Sequence, residues 1–459
     1  MNGTFRKYLE EAIGTQNALV AFSAFDAPAS VSIRINPFKK PRPINGRAVP
    51  WSPYGLMLDH RPSFTLDPVF HAGAYYVQDS SSMFVGHIFR DVLSGITLPS
   101  SRPLRVLDLC AAPGGKTTDL AASLREVFGD GFILVANEVM KARVGVLADN
   151  VALWGDPNVV VTSDDPRAFA PLAGYFDIIL ADVPCSGEGM FRKDENAQAQ
   201  WSEDNVALCE ARQRRIIADM WPALSEGGLL IYSTCTFNVY ENDRNVSWIS
   251  ETLGAEILPN DASVPGVINT DHGYSLVPGF VEGEGQYCAV LRKTSAPEYV
   301  QGRPQKEPRK PQKPSPMPDG LDGLFCCSMR FALKGDMVTA VPEIISSDVS
   351  MLRQNLHVIS AGCAVGVPKG KVLVPDADMA LSIKLSEGAF PRAEVDAQTA
   401  LKYLHRDSIT LPDAPAGYVL VCHEGLPLGF VKNLGNRCNS LHPQSRRIRM
   451  NIPTSTQSE

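Results

Sequence analysis

The sequence lacks the long apolar segments of membrane proteins. No stretch approaches the roughly 18 consecutive apolar residues that a membrane span requires. The first residues carry acidic side chains ahead of a short apolar stretch and have no small-residue cleavage site, unlike a secretory signal. We therefore expect a cytoplasmic protein with no membrane partner.

Cysteine is scarce and scattered, with ten residues among 459 and none in a CxxC pair. Disulfide-stabilised proteins are short and dense in cysteine, so a disulfide framework is excluded and most of the thiols are expected to be buried structural groups. The neighbours Cys326 and Cys327, and the pair Cys422 and His423, lack the spacing of a zinc site. We expect no metal.

Acidic side chains are missing from one C-terminal stretch, although the formal net charge of the chain is -7. The overall charge argues against a general binder of polyanions. Between Gly425 and Met450, however, every charged residue is basic, namely Lys432, Arg437, Arg446, Arg447 and Arg449. This basic stripe suits contacts with phosphates, and a solvated basic face is an equal alternative.

The length of the chain and one abrupt change in composition divide it into domains. A chain of 459 residues exceeds what one hydrophobic core usually serves. Proline and charge replace the apolar periodicity near residue 296, as in a semi-rigid linker. We predict an N-terminal domain, a central domain, a Pro/Lys-rich linker, a small α+β domain and a C-terminal module, over 1–100, 101–295, 296–320, 321–395 and 396–453 respectively.

Apolar strand-like runs alternate with helical patterns between residues 104 and 294, as in "GFILVANEV" followed by "KARVGVLADNVALW". Such alternation predicts a parallel sheet covered on both faces, which is a doubly wound α/β domain. These domains bind ligands at the carboxyl ends of their strands. The residues at or just after predicted strand ends are Cys110, Glu138, Asp165, Asp182 and Cys235.

The loop "DLCAAPGGKTTDL" follows the first of these strands and opens a helix, which is a setting for ligand binding. Cys110 stands where a P-loop needs glycine, and the loop lacks the GxGxxG of a dinucleotide site. The remaining possibility is a nucleoside-type cofactor without a pyrophosphate. S-adenosylmethionine fits this description, because acidic residues tolerate its positive charge. Its candidate ligands include the loop residues Cys110, Ala111, Ala112, Pro113, Gly114, Gly115 and Lys116.

Two carboxylates are candidates for binding the ribose and the adenine ring of such a cofactor. Glu138 ends the next strand, where a carboxylate typically binds the ribose hydroxyls. Asp165 follows the third strand and is placed to meet the adenine ring. Each alone is more simply a helix cap or a surface carboxylate, but their positions at successive strand ends favour cofactor binding.

Four motifs in order, "DLCAAPGGKTT", "ANEV", "DVPCSGEGMFRKD" and "YSTCTFNVYEN", resemble those of the Sun-type RNA cytosine-5 methyltransferases. The resemblance extends through "SIRINPF" and "AGAYYVQDSSSMF", and in size and tail the chain looks like the bacterial ribosomal small subunit methyltransferase F group. It implies a Rossmann-like class I methyltransferase domain, an N-terminal domain of RNA-binding type and a PUA-like RNA-binding domain at the C-terminus.

The same resemblance implies the chemistry. Cys235 in the "TCT" motif would add to carbon 6 of cytosine and make carbon 5 nucleophilic, and Cys185 in the "PCS" motif would help release the adduct. Asp182 would hydrogen-bond the base and also border the cofactor. The implied substrate is structured RNA, with 16S rRNA as the leading candidate, methylated by a monomer.

Neighbouring residues are candidates for supporting roles. Arg192 and Lys193 could lower the pKa of the Cys235 thiol or contact phosphate, or form an ordinary solvated pair. Tyr75 and Tyr76 are possible stacking partners for a flipped base, with buried aromatics as the commoner outcome.

Two alternative functions stay open. One is a non-catalytic RNA-binding ribosome assembly factor, against which the presence of Cys185, Cys235 and Asp182 argues, because binding alone needs neither thiol. The other is a tRNA methyltransferase of the same chemistry, since loop shape rather than catalytic residues decides the RNA substrate.

Overall fold

A computed structural model describes residues 3–39, 41–260, 263–296, 317–318, 320–370 and 372–452. Most of the predicted linker over 296–320 therefore lies outside the described residues. Within the described ranges, no helix combines the length and apolarity needed to cross a membrane.

The N-terminal region joins a helical hairpin to a small antiparallel sheet of order β2-β3-β1-β4. Its elements are α1 (Gly3–Ile13), α2 (Thr15–Ala24), β1 (Val31–Ile35), β2 (Arg47–Ala48), β3 (Gly55–Leu58), α3 (Pro68–His71), β4 (Tyr75–Val77) and α4 (Phe84–Ser94). The hairpin buries Phe5 and Leu9 in one apolar cluster with Trp201 and Phe237 of the central domain. Its packing therefore supports the segments that follow the strands of that domain.

The central domain has the alternating strands and helices that the sequence predicts. They are β5 (Leu104–Asp108), α5 (Gly115–Phe128), β6 (Phe132–Asn137), α6 (Lys141–Trp154), β7 (Val159–Thr162), β8 (Phe176–Asp182), α7 (Glu195–Gln200), α8 (Glu203–Met220), β9 (Leu224–Thr234), α9 (Asp243–Leu253), β10 (Ala255–Ile257), β11 (Ile268–Asn269), β12 (Tyr274–Leu276) and β13 (Gln286–Lys293). The helix predicted from "KARVGVLADNVALW" is α6.

The sheet of this domain is parallel in the order β7-β6-β5-β8-β9, and β13 joins β9 antiparallel. Neighbouring residues of β5 enter opposite cores, Val106 on one face and Leu107 on the other. Both faces are thus covered, which is why the strands are apolar throughout rather than alternating. The predicted doubly wound α/β fold is confirmed.

The segment after the linker contributes to the central sheet as well as forming its own. It contains β14 (Met329–Lys334), β15 (Met337–Pro342), α10 (Ser346–Asn355), β16 (Val358–Ala361), β17 (Cys363–Lys369), β18 (Val372–Pro375) and α11 (Ala377–Leu381). β14, β15, β17 and β18 form a four-stranded sheet, whereas β16 pairs antiparallel with β7. The predicted α+β content over 321–395 is present, but one strand covers the free edge of the neighbouring domain.

The C-terminal region is a mixed sheet with one helix, formed by β19 (Arg392–Glu394), α12 (Ala397–His405), β20 (Gly417–His423), β21 (Leu426–Asn433) and β22 (Cys438–Ser440). It shares a hydrophobic cluster with the N-terminal sheet, in which Ile33 and Tyr75 accompany Tyr403 and Val419. The N-terminal and C-terminal regions therefore pack against each other.

Candidate active site

The predicted site residues meet at the carboxyl edge of the parallel sheet. Asp182 is the last residue of β8, and Cys235 directly follows β9. Glu138 directly follows β6, and Lys116 lies in the first turn of α5. Because these strands run parallel, their ends form one edge, where ligands of doubly wound domains bind.

The glycine-rich loop from Cys110 to Lys116, called the cofactor loop below, is shaped for close approach to a ligand. Gly114 precedes α5 with φ +113°, a conformation that side chains with a Cβ rarely adopt. The Asn150 amide donates to the Pro113 carbonyl at 2.8 Å, and the Ala111 N–H donates to the Asn137 carbonyl at 2.8 Å. The neighbouring elements thus hold the loop in place before any ligand arrives.

Carboxyl groups surround the start of this loop. Burial raises the pKa of the Cys110 thiol, and the nearby charges of Asp108, Asp182 and Glu138 raise it further. Glu138 accepts from the Met140 N–H at 2.8 Å. Cys110 is therefore a neutral thiol beside negative charge, an environment that suits a cationic ligand better than a phosphate.

Asp165 lies apart from this acidic group. Its carboxylate accepts from the backbone N–H of Arg167 at 3.2 Å and is 3.8 Å from the Arg215 guanidinium. It caps the short 3₁₀ helix that follows β7. These contacts match the capping alternative, and its place beside an adenine ring stays a prediction.

The two cysteines of the motifs are in direct contact. The Sγ atoms of Cys185 and Cys235 are 2.9 Å apart, and the Cys235 N–H donates to the Cys185 Sγ at 3.3 Å. The hydrogen bond with Cys235 and then burial raise the pKa of Cys185 well above the usual thiol value. Cys185 is a neutral thiol, and its conjugate base would be strong.

Lys116 joins the cofactor loop to the thiols. Its Nζ lies 2.9 Å from Asp182 Oδ2. Burial alone would lower the pKa of Lys116, but the ion pair with Asp182 and the charge of Cys235 outweigh it, so the pKa is raised. Lys116 is therefore an ammonium ion close to both Asp182 and Cys235.

Arg192 and Lys193 are bound elsewhere. The Arg192 Nε lies 2.9 Å from Glu284, and the Lys193 Nζ lies 2.6 Å from Asp79. These ion pairs tie the segment after Cys185 to the loop before β13 and to the N-terminal region. Lys116, rather than Arg192 or Lys193, is therefore the cation near Cys235, which its place in the glycine-rich loop did not suggest.

The two tyrosines proposed as stacking partners pack within the protein. Tyr75 is buried, and its hydroxyl donates to Asp67 at 2.8 Å. Tyr76 is partly buried against the cofactor loop, because a Cβ added to Gly115 would meet its ring at 3.2 Å. Tyr75 is thus a buried aromatic residue rather than an exposed stacking partner, and Tyr76 packs against the start of α5.

The basic stripe divides into exposed members and one partly buried member. Lys432, Arg437, Arg447 and Arg449 are exposed. Arg446 instead lies 3.0 Å from Asp149 of α6 and 2.7 Å from Asp378 of α11. Four of the five basic side chains can thus face a phosphate backbone, and the fifth, Arg446, joins α6 to α11.

Sequence reasoning missed several buried polar groups around the thiols. Glu188 and Glu241 lie within the quoted motifs and are fully buried, as is Asn238. A charged residue in a loop is ordinarily solvated, so the burial of the two glutamates could not be predicted from the sequence. In the described part of the chain, no three His, Cys, Asp or Glu side chains converge as metal ligands.

A solved structure with the same architecture identifies the class of the fold. A methyltransferase homologue from Pyrococcus horikoshii is 25% identical, with a TM-score of 0.53 over 64% of this chain and 95% of that one. NSun6 from the same organism, at 19% identity and a TM-score of 0.51, shares the fold. The doubly wound sheet is that of a Rossmann-like methyltransferase domain.

Family models and curated relatives identify the chain more closely. The 16S rRNA methyltransferase RsmB/F model matches residues 96–292, the N-terminal domain model of the RsmF methyltransferase matches 1–80, and its PUA domain model matches 390–448. A ribosomal RNA small subunit methyltransferase F of Salmonella agona is 32% identical over 92% of this chain and 91% of its own length. The same-named protein of Enterobacter sp. is 30% identical over 96% and 94%. The chain belongs to the ribosomal RNA small subunit methyltransferase F family.

Proposed function

We propose that this protein uses S-adenosylmethionine to methylate carbon 5 of a cytosine in 16S rRNA, through a covalent adduct with Cys235. The relatives named above are ribosomal RNA small subunit methyltransferases, which supports the substrate. The single observation that carries the chemistry is the contact of Cys185 and Cys235 at 2.9 Å, beside the ion pair of Asp182 and Lys116.

The residues present fit S-adenosylmethionine. The loop from Cys110 to Lys116 would hold its amino acid part at the start of α5, and Glu138 would bind its ribose. The carboxylates Glu138 and Asp182 suit its positive charge, and Asp165 is the candidate beside its adenine ring. When bound, this cofactor supplies the methyl group as an electrophile.

The thiols and the ion pair would act on the base. Cys235, as a thiolate, adds to carbon 6 of cytosine, and the electron pair of the C5–C6 double bond becomes available at carbon 5 for methyl transfer. Asp182 hydrogen-bonds the polar edge of the ring and stabilises the adduct. Lys116 places an ammonium group near Cys235.

Release would use the second thiol. After methyl transfer, loss of the proton from carbon 5 restores the double bond and expels Cys235 from carbon 6. Cys185 adjoins Cys235 and, after giving its own proton to solvent, would take the carbon 5 proton as a thiolate. We therefore assign Cys185 to the release step and Cys235 to the addition step.

The substrate must present an unstacked base. A cytosine within a helix cannot expose carbon 6 to a thiol, so the target must be flipped or lie in a loop. Structured RNA is recognised largely through shape and backbone, which suits the exposed basic residues of the C-terminal region. A transfer RNA with a suitable loop is the alternative substrate, and an assembly factor without turnover would need no such pair of thiols.

The two thiols can be distinguished by trapping. Cys185→Ala, incubated with S-adenosylmethionine and 16S rRNA, is expected to accumulate a protein–RNA adduct that survives denaturing electrophoresis, because addition proceeds and release does not. Cys235→Ala should give no adduct, and Cys326→Ala, at an exposed thiol outside the site, should behave as wild type. Adduct in Cys235→Ala but not in Cys185→Ala would reverse the assigned roles.

A further inference from the structure

Two loops carry the thiols, and each also carries one buried glutamate. Glu188 follows Cys185 by three residues, and Glu241 follows Cys235 by six. Both glutamates are 0% exposed. A buried carboxylate costs free energy unless hydrogen bonds compensate for its lost hydration, so the partners of these two show what they stabilise.

Glu188 reaches from the first loop to the second. One carboxylate oxygen accepts from the backbone N–H groups of Phe237 at 2.8 Å and Asn238 at 3.0 Å. The other accepts from the Trp201 indole N–H at 2.9 Å. The backbone two and three residues after Cys235 is therefore held by a side chain from the loop of Cys185.

Glu241 reaches in the opposite direction. Its Oε2 accepts from the backbone N–H of Ser186 at 3.0 Å and from the Gln213 side chain at 2.7 Å. Ser186 directly follows Cys185 in the chain. The backbone beside Cys185 is thus held by a side chain from the loop of Cys235.

One amide links the two carboxylates. The Asn238 Nδ2 donates to Glu188 at 3.0 Å and to Glu241 at 2.9 Å. The Gly189 N–H also donates to the Cys235 carbonyl at 2.9 Å. The hydrogen bonds therefore form one continuous buried network rather than two separate contacts, so a loss at one point affects the rest.

We propose that Glu188 and Glu241 are positioning residues that form a reciprocal clasp, which holds the thiols of Cys185 and Cys235 in contact. Neither carboxylate hydrogen-bonds a thiol, so the clasp positions the two thiols through their backbones. The catalytic meaning of the clasp rests on the proposed function, because contact between the thiols matters only if both serve one reaction. Misplacement by about 1 Å can cost about a hundredfold in rate.

Thiol contact can be measured without RNA or cofactor. Phenylarsine oxide binds two thiols that lie close together, and a Cys326→Ser/Cys327→Ser background removes the adjacent pair that would compete for it. In this background we expect Glu188→Ala and Glu241→Ala to bind the arsenical at Cys185 and Cys235 at least about tenfold more weakly, as followed by mass spectrometry of the labelled peptides. Glu256→Ala, at an exposed glutamate paired with Arg292, is the control and should bind as before.

Kinetics provide the second readout. Each alanine variant is expected to lower kcat about tenfold or more while KM for S-adenosylmethionine changes less than about twofold, because the clasp holds thiols and not the cofactor loop. The double variant should be little worse than either single one, since both act in one network. Glu188→Gln and Glu241→Gln keep one acceptor oxygen and should recover part of the loss.

The outcomes separate the clasp from the proposed function. Unchanged arsenical binding in folded variants, or fully additive losses in the double variant, would overturn the clasp. If an alanine variant does not fold, the glutamine variants decide by the same measurements. If arsenical binding falls as expected while the wild-type protein methylates no RNA, the clasp stands and the proposed function is wrong.

Discussion

Among single residues, Asp108 contributes to the way stability depends on pH. Its side chain is fully buried below the cofactor loop, and its Oδ2 accepts from the Thr117 hydroxyl at 2.7 Å. Burial raises its pKa from 3.8 to about 7. The folded protein thus retains a proton that the unfolded chain releases, and the free energy of unfolding falls as pH rises from about 4 to about 7.

Asp108→Asn should remove the contribution of this one group. We expect the variant to match wild type near pH 4 and to be more stable at pH 8, by an amount on the order of 4 kcal/mol or less. The measurement is the thermal midpoint at both pH values, with exposed Asp271→Asn as the control. A variant whose midpoint falls relative to wild type as pH rises would contradict the assigned protonation.

The sequence predicted the positions of site residues better than their partners. Cys185, Cys235 and Asp182 follow strand ends that apolar runs reveal, and the structure brings them to one edge. The link between Lys116 and Cys235 could not be predicted, because it depends on how the start of α5 lies relative to the end of β9. Asp165 shows the reverse case, in which a strand-end carboxylate turns towards arginines.

At the level of secondary-structure elements, one arginine connects the N-terminal sheet to the helix of the cofactor loop. Arg34 on β1 is fully buried and donates to the Thr118 hydroxyl at 2.6 Å and to the Gly115 carbonyl at 3.0 Å. Its Nε also lies 3.7 Å from Asp119. The first turn of α5 is therefore fixed from outside the central domain.

Arg34→Met is expected to destabilise the protein by about 3–5 kcal/mol, because it leaves buried acceptors and part of the Asp119 charge unmet. Arg42→Met removes the ion pair between exposed Arg42 and partly buried Glu424 and should cost no more than about 1 kcal/mol. Denaturant unfolding compares the two variants. Equal, small losses for both would show that Arg34 does not support α5.

Elements inside the central domain were predictable because each has its own periodicity. The strand β16 was not, since its role comes from pairing with β7 across a long stretch of chain. Three of its four residues are only partly buried, so the sequence carries little sign of a sheet position. Pairing between distant segments depends on topology that local patterns do not contain.

Considered as a whole, the molecule presents its exposed basic residues from a region that is packed against the rest. The C-terminal region shares apolar packing with the N-terminal sheet, and Arg446 pairs with Asp149 and Asp378. The remaining basic residues of the stripe are therefore held at a fixed distance from the thiols. Such an arrangement suits a large RNA that contacts both regions at once.

Replacing Lys432, Arg437, Arg447 and Arg449 together by alanine should weaken RNA binding and leave S-adenosylmethionine binding unchanged. Each lost phosphate contact is expected to reduce the slope of log affinity against log salt by about 1. Filter binding over a series of salt concentrations measures this slope. A slope equal to that of wild type would mean that these residues face solvent only.

Bisulfite sequencing of 16S rRNA tests the central claim most directly, in cells with the gene, without it, and with the gene carrying Cys235→Ala. We predict one cytosine mark that is present with the wild-type gene and absent in the other two cases. A methylation map of 16S rRNA that is identical in all three would contradict the account.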